Sequence, residues 1–161
     1  SLINYDDTAS RSMARIKYNN RREYLDFYSE AMVRKMGKRI QSMNGDVLVP
    51  VPVHPSRRRE RGFNQAEELA VRLSGPLGIP VNTAILKRER KTAPQKSLDS
   101  SGRLKNLEQA FSASALPPGI KNIILVDDIY TTGSTVEACT RVLRKAGAEN
   151  VYFVTIFIGH G

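Results

Sequence analysis

An α/β fold, with a central, mostly parallel sheet flanked by helices, is what this sequence predicts, and three observations predict it. Apolar residues recur at helical spacing in three separate stretches, short β-branched or continuous apolar runs lie between and after them, and the two kinds of segment alternate along the chain. That order implies right-handed crossovers and places ligands outside the carboxyl ends of the strands. A chain of 161 residues buries roughly two-thirds of its unfolded surface on folding, so one domain over residues 1–161 is expected.

Each element follows from its own pattern. Leu25, Tyr28, Met32, Met36, Ile40 and Met43 recur every three or four residues, so one amphipathic helix is expected between Arg21 and Met43, ended by Asn44-Gly45. Asp46 to Val53 reads as a buried strand whose end Pro50, Pro52 and Pro55 make irregular. Phe63, Ala66, Leu69, Ala70 and Leu73 mark a second helix, expected to stop near Gly75-Pro76, and Ile79 to Leu86 a short strand pair or one interrupted strand. Lys87 to Asn106 is dense in charge and without sustained period, so an exposed, mobile loop with a turn of helix at its end is expected. Ile123 to Val126 is a continuous apolar strand, Val136, Cys139, Val142, Leu143 and Ala146 form the inner face of a helix capped by Gly147, and Val151 to Ile158 is the last strand.

Composition narrows the function classes. The longest apolar runs, Ile123 to Val126 and Val151 to Ile158, fall far short of the ~20 residues that span a bilayer, so no membrane insertion is expected. No basic segment followed by an apolar stretch opens the chain, and the single cysteine, Cys139, allows neither an intramolecular disulfide nor a four-cysteine metal site, which suits a cytoplasmic protein. The chain begins with Ser1 rather than Met, which points to a trimmed amino terminus. Its net charge of +9 is concentrated in the first two-thirds: residues 1–62 carry 13 Lys/Arg against 7 Asp/Glu, whereas residues 121–161 carry 4 against 4. Such a field attracts polyanions, either nucleic acid or a small phosphorylated substrate.

The chemistry concentrates after the Ile123–Val126 run. Asp127 and Asp128 are expected where the buried strand ends, because adjacent carboxylates cannot continue into an apolar layer without a large desolvation cost. Thr131-Thr132-Gly133-Ser134-Thr135 then opens a helix, where unpaired N–H groups, hydroxyls and the helix dipole favour an anion. Acids beside a phosphate cradle can accept hydrogen bonds from the hydroxyls of a sugar whose phosphate lies in it, and a ribose 5-phosphate fits that spacing. No Gly-x-Gly-x-x-Gly follows a strand and no Gly-Lys-Thr or Gly-Lys-Ser occurs, so dinucleotide-binding and Walker-loop readings fall away.

Four hydrophobic residues, two acids, two variable residues and Thr-Gly-x-Thr, present here as Ile123 to Thr135, resemble the binding signature for 5-phosphoribosyl-1-pyrophosphate (PRPP) of type I phosphoribosyltransferases. Val49-Pro50-Val51-Pro52-Val53-His54-Pro55, Arg61-Gly62-Phe63-Asn64-Gln65-Ala66, Thr92-Ala93-Pro94-Gln95 and Arg103-Leu104-Lys105-Asn106 are similar to the competence protein ComF family. The resemblance covers about residues 15–158 and implies the type I phosphoribosyltransferase fold, with a long flexible loop and a small hood. The four-cysteine zinc module that often precedes this domain in the family has no counterpart here, so zinc is not expected.

The resemblance also implies roles. Thr131, Thr132, Gly133, Ser134 and Thr135 would hold the 5-phosphate, and Asp127 and Asp128, the catalytic pair, would position the ribose directly or through the waters of a Mg2+ held mainly by PRPP. Val53, His54, Pro55, Ser56, Arg57 and Arg58 would hold the pyrophosphate, although the arginines suit a solvated surface or a nucleic-acid contact equally well. Lys87, Arg88, Arg90, Lys91 and Arg103 would belong to the loop that closes over PRPP. The expected activity is Mg2+-dependent transfer of ribose 5-phosphate to a nitrogen acceptor with release of pyrophosphate. Purine-salvage members carry an Asp where Thr131 stands, which disfavours hypoxanthine and guanine and leaves orotate, ammonia or another amine open. The alternative is a PRPP-sensing or single-stranded-DNA-handling protein of DNA uptake, with Tyr18, Tyr24, Phe27, Tyr28 and Phe63 as stacking platforms. A homodimer is an expectation by analogy with the superfamily.

Overall fold

The computed structural model describes residues 3–4, 7–19, 23–89 and 100–159. In chain order the elements are β1 (Ile3–Asn4), α1 (Asp7–Asn19), α2 (Glu23–Gln41), β2 (Val47–Pro50), α3 (Pro55–Arg61), α4 (Gln65–Leu77), β3 (Leu86–Arg88), α5 (Ser100–Glu108), β4 (Phe111–Ala113), β5 (Asn122–Tyr130), α6 (Ser134–Lys145) and β6 (Asn150–Ile158).

Four strands form a parallel sheet in the order β1-β6-β5-β2. Strand alternation sends Leu48, Ile124, Val126, Val154 and Ile156 to one face, where they meet Met13 and Ile16 of α1, Leu25, Met32 and Ile40 of α2, and Leu69 and Leu73 of α4. Val47, Val49, Ile123 and Leu125 turn to the other face and pack on Ala138, Cys139 and Leu143 of α6 with Leu86 and Phe111. Burial on both faces accounts for the continuous apolar runs of β2 and β5. The α/β architecture with a parallel sheet flanked by helices is therefore the one the sequence predicts. Beside it, β3 and β4 form a separate antiparallel pair, Leu86↔Ala113 to Arg88↔Phe111, the small hood.

Local chemistry sets the ends of these elements. Asn44 takes a left-handed φ of 49° after α2, and a Cβ on Gly45 would lie 2.5 Å from Ile124 Cδ1, so only glycine lets this turn pass under β5. The Asp46 carboxylate then accepts N–H bonds from Lys121 (2.8 Å) and Asn122 (2.7 Å), tying the start of β2 to the start of β5. Those two bonds hold its pKa below the ordinary carboxylate range.

Four differences from the sequence reading have physical causes. Helix α1 shows too little apolar period to be read, because among its described side chains only Met13 and Ile16 are buried in the core. The basic cluster Arg57–Arg61 is helical: the His54 side chain accepts from Ser56 N, Pro55 opens the helix and Gly62 closes it in the left-handed conformation, while no residue of α3 is buried to give a period. Helix α4 continues through Gly75-Pro76 because Leu77 is buried and the Gly78 N–H closes on the carbonyls of Ser74 and Gly75. Residues 100–108 form a helix of nine residues where one turn is expected; residues 90–99 lie outside those described.

Candidate functional site

The loop after β5 is built by a tyrosine and a glycine. Gly133 takes φ 77° at the amino end of α6, and a Cβ there would meet the Tyr130 hydroxyl at 2.5 Å, so both backbone conformation and space require glycine. Tyr130 is held by stacking on Phe153, with ring centroids 5.2 Å apart. Thr132 Oγ1 and Ser134 Oγ share a hydrogen bond of 3.0 Å. Asp127, Ile129, Tyr130 and Thr131 to Val136 enclose a small cavity of about 30 Å³. All five residues expected to hold the 5-phosphate are thus brought together at the amino end of a 12-residue helix, where unpaired N–H groups favour an anion.

The acids are placed differently from the sequence reading. Strand β5 does not end at Asp127: Asp127 pairs in register with Thr155, and Ile129 and Tyr130 pair with Phe157 and Ile158. The cost of placing two carboxylates in a sheet is met by partners rather than avoided by ending the strand. Asp128, only 5% exposed, is contacted on one oxygen by two donors: Lys17 Nζ of α1 lies 2.6 Å from Oδ2 and Gln65 Nε2 of α4 donates to it at 3.2 Å. Asp127, partly accessible at the crevice, folds back so that Oδ1 accepts the Asp128 N–H at 2.9 Å.

These surroundings split the pair electrostatically. Burial first, then the neighbouring Asp128 charge, pushes the Asp127 carboxyl well above the usual carboxylate range. Burial works against the Asp128 carboxylate, but the Lys17 ammonium together with hydrogen bonds from Asp127 and Gln65 more than offsets it and holds that group below the usual range. From above the ordinary carboxylate range up to the raised Asp127 value, the pair carries one negative charge where two free carboxylates would carry two.

A second cavity of about 730 Å³ joins the two basic segments: Val53, Pro55, Arg58 and Arg59 line it from one side, Lys87 and Arg88 from the other. Arg58 also pairs with Glu67 at 2.9 Å. Arg88 lies over the Phe111 ring, 5.2 Å from its centroid; burial and the charge of Arg57 lower its pKa, and Asp127 acts in the opposite sense. His54 and Ser56 are turned to each other, Nδ1 to Oγ 2.8 Å, as an anchor of the α3 amino end, and Arg57 is exposed. Arg90, Lys91 and the Arg103 side chain lie outside the described residues. Among the described residues no three His, Cys, Asp or Glu side chains converge to hold a metal ion.

Three neighbours of the acid pair, Lys17, Asn64 and Gln65, are not legible in the sequence. Lys17 carries no motif, and only the folded position of α1 gives it a role. Asn64 and Gln65 lie within the Arg61-to-Ala66 stretch, where the sequence suggests no role for either. In the fold, Asn64 Oδ1 caps α4 at Ala66 N (3.1 Å) while its Nδ2 donates to Val51 O (3.0 Å), and this fixes Gln65 beside Asp128. Two buried amides at a helix start are the available signal. Gln65 Oε1 is buried with no hydrogen-bond partner among the described residues.

The chain's similarities agree with this arrangement. The phosphoribosyl transferase domain family matches residues 32–160. Competence protein F of Haemophilus influenzae is 38% identical over 108 residues, 66% of this chain and 47% of that protein. The DNA utilization protein YhgH of Salmonella typhimurium is 30% identical over 154 residues, 94% of this chain and 67% of that protein, and competence protein ComFC of Bacillus subtilis is 31% identical over 147 residues, 91% of this chain and 58% of that protein. The chain therefore spans between about half and two-thirds of the length of these relatives. By the match over residues 32–160 and these three relatives, the chain belongs to the phosphoribosyl transferase domain family and, within it, to the ComF group of type I members.

Proposed function

We propose that this protein binds PRPP across the β5–α6 turn and transfers its ribose 5-phosphate to a nitrogen nucleophile, releasing pyrophosphate. The observation that carries the reading is the turn itself: Gly133 at φ 77° opens α6 toward an anion while Asp127 and Asp128 stand in the last residues of β5 just before it. The 5-phosphate lies against Thr131 to Thr135, the ribose hydroxyls face the acids, and the pyrophosphate extends toward Arg58, Arg59, Lys87 and Arg88 in the larger cavity. The bond from C1 of the ribose to the pyrophosphate oxygen breaks, a bond from C1 to nitrogen forms, and the basic cavity offsets the charge of the leaving pyrophosphate. Bound Mg2+ supplies further neutralisation of that leaving group. Thr131 is exposed and has no group that accepts a proton at neutral pH, which argues against hypoxanthine and guanine as acceptors.

Calorimetric titration of PRPP with Mg2+ into the native protein and into Asp127→Asn/Asp128→Asn tests the site. Binding by the native protein and its loss in the double variant is expected; identical isotherms would sink the assignment. Pyrophosphate release across a panel of bases and amines then tests turnover.

A second reading, handling of single-stranded DNA, is favoured by one surface. Phe27 is 62% exposed on a groove of about 580 Å³ between α1 and α2 that also carries Arg11, Arg15 and Tyr24, a pairing of aromatic and basic groups suited to a strand. Tyr28 and Phe63 are buried and offer no such platform, and the Tyr18 side chain lies outside the described residues. The names of the relatives, competence and DNA utilization proteins, support a link to DNA uptake. On this reading, affinity for an oligonucleotide falls steeply with salt and drops further on Phe27→Ala; indifference to both removes it.

A further inference from the structure

The acid pair is already matched with a cation of the protein's own. Lys17 Nζ lies 2.6 Å from Asp128 Oδ2, with the lysine side chain 21% and the aspartate side chain 7% exposed. The lysine is delivered by a packed helix: Met13, one turn ahead of it, and Ile16 are buried in the core, and the Tyr28 hydroxyl donates to Ser12 Oγ at 2.8 Å. Gln65 holds the same carboxylate oxygen from α4 at 3.2 Å, so Asp128 stays oriented when the lysine moves. Lys17 also lies ahead of residues 32–160, the segment the family match covers.

We propose that Lys17 is the resident counter-cation of the acid pair and keeps a free divalent metal ion off Asp128 in the ligand-free protein. An ion arriving alone must displace the ammonium from a buried carboxylate or sit beside it against like charge. A metal ion carried on a diphosphate arrives with its charge already offset, so it enters with its ligand. That last step rests on the PRPP reading, whereas the exclusion of free metal does not.

Mn2+ alone, followed by electron paramagnetic resonance, is the probe for native protein, Lys17→Arg, Lys17→Met and Lys17→Met/Asp128→Asn, each checked for folding by circular dichroism. Native protein and Lys17→Arg should leave Mn2+ free at concentrations where Lys17→Met binds one equivalent, a shift of roughly tenfold or more, and the double variant should return to the native level. Should Lys17→Met fail to fold, Lys17→Gln takes its place in the same comparison. Equal Mn2+ affinity in native protein and the methionine variant, or binding that survives Asp128→Asn, overturns the proposal. Native protein that takes up no Mn2+ when PRPP is added, with the rest of the pattern intact, counts against the PRPP reading alone.

Discussion

Two adjacent aspartates of identical chemistry shift in opposite directions because Lys17 pairs directly with Asp128, while burial dominates at Asp127. Asp127, raised above its ordinary value of 3.8, keeps a proton in the native state that the unfolded chain has lost, so stability falls as pH rises from about that value through the folded pKa. Asp128, lowered, contributes stability that is present above 3.8 and lost as pH falls through its folded pKa. The two isosteric substitutions should therefore differ in sign. At pH 7 Asp127→Asn should raise stability by about 1 kcal/mol by removing a carboxyl that folding desolvates. Asp128→Asn should lower it by about 2–3 kcal/mol by leaving the Lys17 ammonium without its partner. Urea unfolding of both variants between pH 4 and 8 reads this directly, and the decline of stability with rising pH should flatten in Asp127→Asn. The acids were legible in the sequence as a pair; their difference was not, since Lys17 lies more than a hundred residues away and carries no pattern.

At the level of elements, legibility followed buried period. Helices α2 and α4 and the strands β2, β5 and β6 show it because each buries a regular face, whereas α3 buries nothing and α1, among its described side chains, only Met13 and Ile16. Strand β5 runs past the acids to Tyr130 for a related reason: donors on α1 and α4, invisible in the local sequence, offset the desolvation cost of the carboxylates. Joints between elements are set by single side chains. Asp46 closes the β2–β5 junction through two backbone N–H groups, so Asp46→Ala should cost about 1–2 kcal/mol. Its lowered pKa makes that contribution disappear as pH falls through the folded value. Thermal unfolding followed from pH 7 downward should show a constant difference between native and variant above pH 3.8 that shrinks as the pH falls below it.

For the whole molecule, the doubly covered sheet determines where chemistry can occur. Helices α1, α2 and α4 close one face and α6 with the β3–β4 pair closes the other, leaving the carboxyl ends of β2 and β5 as the place where the β5–α6 turn, the acids and the basic cavity lie. This convergence was legible in outline, because strands that alternate with helices can present ligand groups only there; the distances between groups depended on side chains whose partners come from distant segments. One buried atom gives access to the motions of this assembly. Cys139, the only cysteine in the sequence, sits wholly buried on α6 one turn beyond Thr135, and burial pushes its thiol far toward the protonated form. A thiol reagent therefore reaches it when the packing between α6, the sheet and the β3–β4 pair opens, so its labelling rate clocks the opening of the layer around the helix that begins at the β5–α6 turn. With reagent in excess, labelling of the native protein should be slow and should slow further when an anion occupies that turn. The protein thus carries an internal timer for occupancy, one sulfur atom that needs no engineered probe.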